Sequence, residues 1–170
     1  MIRNSIFSEF IDGEGWFISD SVRCADLPDS YVVSGNLLVD NGLENEIENF
    51  VVVPALYLYR HAVELYLKQA LEKLGNEDVR SDHDISSLYS ALEGKLQKSA
   101  PDLSPDKDVF EAIMAFHGLS PASTELRYNN QKDQASSLLA AEHPLFINLR
   151  NAQKYIEKIR GYFKELKSNI

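Results

Sequence analysis

The sequence holds a single cysteine, Cys24, which excludes an internal disulfide and any cysteine-built metal site. That thiol, with no histidine placed near it, also falls short of a nucleophile signature. The four histidines, His61, His83, His117 and His143, stand at no metal-ligand spacing, so no metal is expected. A glycine-rich phosphate loop is missing, as are a His-Glu-x-x-His helix and a Gly-x-Ser-x-Gly elbow. No cofactor is therefore expected. No uninterrupted apolar run reaches span length, and no membrane association is expected. Residues 1–10 lack the basic start and apolar stretch of a signal peptide. A cytoplasmic location is the default expectation.

Positive charge is scarce at one end of the chain. Residues 1–54 carry ten acids against two bases, while residues 55–170 are nearly balanced. With a net charge of −9, broad attraction to nucleic acid is not supported. At 170 residues and 44% hydrophobic content, one domain with a sizeable core is expected.

The most informative stretch runs from Leu56 to Lys68. It is apolar on nearly every face yet carries Arg60, His61, Glu64 and Lys68. Arg60, Glu64 and Lys68 recur every four residues and share one stripe of a helix, with His61 beside them. A helix that is apolar all round belongs in a core. Charges in a core need partners, since unpaired burial costs several kcal/mol, roughly, per ion. The stripe is therefore either a structural ion-pair lattice or a polar pocket for an anion, with His61 moving a proton.

The rest of the chain reads as helices. Residues 1–27 form an irregular arm whose Phe7, Phe10, Ile11, Trp16, Phe17 and Ile18 dock on the body; the turn signal Asp12-Gly13-Glu14-Gly15 leaves a small hairpin open. Asp29 or Ser30 caps a first helix that stops near Asn41-Gly42. The long second helix runs from Phe50 to Leu74, with Pro54 in its first turn. His83-Asp84 opens a third, with Asp82 or Asp84 as cap and Ile85, Leu88, Leu92 and Leu96 in step. A fourth starts at Ser104-Pro105-Asp106 and ends at Gly118-Leu119. Residues 120–142 lack a period, and a final helix begins near His143-Pro144. The expected architecture is all-α: an antiparallel bundle of four to five helices over residues 28–170, plus the arm.

Three further groups invite a functional reading. His83-Asp84 could be a ligand or acid/base pair, or only a cap. Glu125-Leu126-Arg127-Tyr128 could hold an anion or clamp its loop to the bundle, with Arg127 meeting Glu64. The last helix carries Arg150, Lys154, Lys158, Arg160, Lys164 and Lys167, which could meet nucleic acid or form a solvated face.

Tyr59-Arg60-His61-x-x-Glu64-Leu65-x-Leu67-Lys68, followed by His83-Asp84 and Glu125-x-Arg127-Tyr128, resembles a branch of the HEPN superfamily, the higher eukaryote and prokaryote nucleotide-binding domains. The similarity spans roughly residues 28–165 and leaves out the arm. The resemblance implies a helical bundle that commonly dimerises, often in bacterial defence, toxin–antitoxin or stress systems. Catalytic relatives are metal-independent ribonucleases whose signature is an arginine followed, after four to six intervening residues, by a histidine. None of the seven arginines here has a histidine at that spacing, and Arg150 meets Tyr155, Ile156 and Glu157 instead. No catalytic residue carries over.

The leading expectation is a non-catalytic HEPN-like module, homodimeric, that binds a partner protein or a nucleotide or RNA. Its site would draw on Arg60, His61, Glu64, Lys68, His83, Asp84, Glu125, Arg127 and Tyr128. One rival is a divergent metal-independent ribonuclease using His61 or His83 with Arg60 or Arg127. The other is a purely structural interaction domain.

Overall fold

The computed structural model describes residues 27–76, 82–119 and 147–170. Among these all the regular secondary structure is helical. Five α-helices follow in order: α1 (Leu27–Glu44), α2 (Glu48–Lys73), α3 (Ile85–Ser99), α4 (Lys107–Leu119) and α5 (Leu149–Asn169). A short 3-10 turn, Pro101–Leu103, joins α3 to α4. The all-α bundle expected from sequence is thus the fold. The arm, with its Asp12–Gly15 turn, lies outside the described residues, as does the stretch 120–146.

Helix α2 is the central rod and packs against each of the other four. Twelve of its residues are buried, from Val51 to Leu71. An apolar surface this wide has no polar face to give to solvent, so it must be covered on several sides. By length and a mean hydropathy of 1.2, α2 would suffice to cross a bilayer, although charged residues interrupt its apolar run. Its place at the centre of the bundle explains the same composition: 56% of the apolar window is buried inside the protein.

Helices α1 and α2 form an antiparallel hairpin. Gly35 admits the Tyr59 ring and Gly42 admits Val51, so the two backbones approach closely. The sequence reading placed a stop at Asn41-Gly42; instead α1 continues to Glu44, because Gly42 is a packing position and not a terminus. The connection is closed by the Ile47 amide donating to the Gly42 carbonyl at 2.9 Å, with Glu46 left-handed at φ 54°. Pro54 also differs from expectation. It is the seventh residue of α2, inside the helix, so the Phe50 carbonyl gets no amide from it. At its far end α2 stops as expected at Gly75, where φ is 75°. Gly75 donates to Glu72 and Asn76 to Leu71, the paired bonds of a Schellman motif.

The caps of α3 and α4 follow the sequence. Asp84 accepts from the Ser86 amide at 3.0 Å, and Asp106 accepts from the Val109 amide at 2.8 Å. Ile85, Leu88, Leu92 and Leu96 are all buried. On α4, Val109, Ile113 and Phe116 are buried, but Phe110 turns outward to meet Tyr89. Helix α5 starts later than His143-Pro144. Ile147 and Asn148 are non-helical, and the Asn148 side chain caps α5 by accepting from the Asn151 amide. Leu149, Ala152, Ile156, Ile159, Phe163 and Leu166, spaced by alternating steps of three and four, all face the core.

Candidate functional site

The ionisable stripe of α2 forms a network with the start of α3. Glu64 is its hub, held by two helix neighbours and by the segment entering α3. One carboxylate oxygen, Oε1, accepts from Lys68 Nζ at 3.0 Å and faces His83 Nδ1 at 2.8 Å. The other, Oε2, accepts from Arg60 Nη1 at 3.4 Å. Arg60 also donates through Nη2 to the His83 carbonyl at 3.1 Å. Arg60 and Glu64 are each 4% exposed.

Burial alone would raise the Glu64 carboxyl. The Lys68 and His83 hydrogen bonds, and then their charges, outweigh it and hold Glu64 below the ordinary carboxylate value. Glu64 is therefore ionised at neutral pH and can only accept. The proton between it and His83 consequently sits on Nδ1 of the imidazole. The rest of the ring is turned outward, with a side-chain exposure of 59%. A buried carboxylate that fixes the tautomer of an exposed histidine is the arrangement that orients such a ring for proton transfer or binding.

The residues proposed from sequence are thus partly gathered. Arg60, Glu64, Lys68 and His83 converge. His61 does not join them: one residue along the helix, it points toward α1, edge-on to Tyr31 at 4.7 Å between centroids and parallel to Tyr57 at 6.0 Å. Asp84 caps α3, and its second oxygen accepts from Ser87 Oγ at 2.9 Å. Glu125, Arg127 and Tyr128 lie outside the described residues, and with them the expected Arg127–Glu64 contact.

One neighbour was missed. His117, in the last turn of α4, brings Nδ1 to 3.3 Å from Asp84 Oδ1, near enough for an ion pair when protonated but not aligned for a hydrogen bond. Nothing local marks it, since the contact exists only once α4 packs on the start of α3. Among the described residues no group of three or more His, Cys, Asp and Glu side chains is placed to hold a metal ion.

The basic last helix pairs three of its cations with acids of α1 and α4. Arg160 Nε donates to Asp29 at 2.6 Å, Arg150 to Asp40 at 2.5 Å, and Lys158 to Asp108 at 2.7 Å. Asp29 was expected to cap α1. Instead it is the third residue of the helix, and its carboxylate also takes the Tyr66 hydroxyl at 2.7 Å. Burial works against its ionisation, but Tyr66 and Arg160 prevail and hold its carboxyl below the ordinary range. The acids of α1 and α4 thus clamp α5, which leaves fewer cations for a nucleic-acid face. Comparison with protein-family models, with curated proteins and with solved structures finds no match.

Proposed function

We propose that this chain is a HEPN-like helical module that acts by binding a protein, and that its first partner is a second copy of itself. The sequence resemblance motivates the family, and the all-α bundle is compatible with it. The observation that carries the binding role is the exposure of large apolar side chains on the α1–α2 hairpin. Phe50 is 80% exposed, Leu37 66%, Val33 45% and Val53 40%. Single exposed apolar residues are ordinary, but Val33 with Leu37 and Phe50 with Val53 each share one face of their helix, which favours cover by a partner. The buried Arg60–Glu64 pair supports the same reading. Arg60 pairs with Glu64 and holds the His83 carbonyl, so it ties α2 to the chain entering α3. Light scattering on the eluted protein tests the proposal. Wild type should be dimeric, and Leu37→Ser with Phe50→Ser should shift it to monomer while leaving helicity unchanged. A monomeric wild type overturns the self-association reading.

A second reading is favoured by a separate observation, the 2.8 Å pairing of buried Glu64 with the exposed His83 ring. That geometry suits a general acid/base, so a divergent metal-independent ribonuclease remains a distinct proposal. Purified protein incubated with RNA in EDTA decides it. Cleavage lost in His83→Ala supports it, and equal inertness of both proteins ends it.

A further inference from the structure

The α1–α2 turn gathers three features that local physics disfavours. Glu44 is the last residue of α1, at the carbonyl end of the helix, where the dipole disfavours a carboxylate. Glu46 takes a positive φ of 54°, a region uncommon for a residue with a Cβ. Phe50, the third residue of α2, is 80% exposed, and Val53 on the same face is 40% exposed. Departures from local preference that gather in one place are expected at functional surfaces. The turn is nonetheless firmly held. The Ile47 amide donates to the Gly42 carbonyl at 2.9 Å, and the Asn45 side chain donates to the Asn41 carbonyl at 3.0 Å. A fixed tip therefore presents the Phe50 ring.

The charge around that ring has one sign. Residues 41–53 hold Glu44, Glu46 and Glu48 and no lysine, arginine or histidine. Asp40, just before them, is taken by Arg150. Among the described residues none of the three glutamates is in an ion pair. An apolar strip beside unpaired carboxylates matches a partner that is both apolar and cationic. Nucleic acid and anionic lipid surfaces are repelled by the same charge. A second copy meeting the tip end to end would set carboxylate against carboxylate, so this end of the hairpin is left to a different partner. We propose that the tip docks a cationic amphipathic helix of another protein. The apolar stripe of that helix would lie on Phe50 and Val53, and the lysines or arginines flanking it would meet Glu44, Glu46 and Glu48. The inference goes beyond the self-association reading and does not depend on the proposed family.

Titration calorimetry on the full chain tests it, with a leucine–lysine peptide designed as an amphipathic helix as the probe. Glu44→Gln/Glu46→Gln/Glu48→Gln should weaken binding by about tenfold or more. Phe50→Ser, a change at an exposed position, should do the same with helicity unchanged. The control Asp102→Asn/Glu111→Gln/Glu165→Gln removes three exposed carboxylates from other parts of the surface and should bind as wild type does. An equal loss in the control would reduce the binding to net negative charge and overturn the inference. A wild type that does not bind the peptide overturns it as well. Light scattering on the same samples separates this inference from self-association. The glutamine variant should keep the oligomeric state of wild type. A change of state would place the tip inside the contact between copies and overturn the inference. A monomeric wild type that still binds the peptide through the tip would overturn the self-association reading alone.

Discussion

Arg60 and Glu64 lie one helical turn apart on α2, with Nη1 3.4 Å from Oε2 and each side chain 5% exposed. An exposed pair at this spacing contributes only about 0.3–0.5 kcal/mol. A sealed pair behaves differently, because each ion has lost its water and depends on the other.

Removing one member should therefore cost far more than removing both. Glu64→Ala deprives the buried Arg60 guanidinium of its carboxylate and takes away the acceptor of Lys68 and His83. Unfolding in urea should show a loss of about 3–5 kcal/mol. The double variant Arg60→Met/Glu64→Leu should recover much of that loss, since well-packed apolar groups replace a buried pair at little cost. A single variant that loses no more than an exposed pair would show that water reaches the network.

The same carboxylate sets an acid limb. In the folded protein Glu64 is held below its ordinary 4.5 and Asp29 below its ordinary 3.8. Depressed folded values mean that the unfolded chain takes up these protons first as pH falls. The stability they contribute is complete above the ordinary values and is lost as pH drops through the lower, folded ones. Urea midpoints measured from pH 6 downward, roughly, should fall steeply once these carboxyls begin to protonate in the unfolded chain. Glu64→Gln should be less stable at neutral pH and show a shallower acid slope. A slope equal to that of wild type would remove Glu64 from the account.

What the sequence made legible was local. The stripe of Arg60, Glu64 and Lys68 needs only helical spacing, and the Asp84 cap needs only three neighbouring residues. The α5 seam is likewise a matter of periodicity. The unread part depended on which element meets which. Asp29 looks like a cap, but its partner Arg160 is 131 positions away. His61 looks like a member of the charged stripe, yet one residue turns a helical side chain by about 100°, enough to send it to Tyr31. The start of α5 was misjudged because Pro144 suits a first helical turn, while the cap is Asn148.

The glycines of α1 offer a test of close packing against helix propensity. In a helix interior alanine is favoured over glycine by about 1 kcal/mol. A Cβ at Gly35 would stand 2.8 Å from Tyr59 Cδ1. That ring cannot retreat easily, being fully buried with its hydroxyl donating to Asn36 Oδ1 at 2.7 Å. Overpacking costs about 1–3 kcal/mol, so Gly35→Ala should lower the melting temperature despite the propensity gain. Gly161 on α5 has nothing within 4 Å of the same atom. There alanine should raise stability by about 0.4–1 kcal/mol. If both variants move the melting temperature in the same direction, packing at Gly35 is looser than this geometry requires.

The α1–α2 turn makes the opposite prediction, that a glycine is wanted where none stands. Glu46 is the only described non-glycine residue with positive φ, at 54°. The turn imposes this value, because Ile47 must reach back to the Gly42 carbonyl to close the helix. A residue with a Cβ pays about 1–2 kcal/mol for the left-handed region, whereas glycine enters it freely. Part of that gain is returned through the greater freedom of glycine in the unfolded chain. Glu46→Gly should therefore stabilise the protein by a net of about 0.5–1 kcal/mol, and Glu46→Asn by less. Glu46→Val should destabilise it, since β-branching crowds the same φ. Urea midpoints of the three variants and the wild type should fall in the order Gly, Asn, wild type, Val. A lower midpoint for the glycine variant would mean that the Glu46 side chain contributes more than its backbone strain costs.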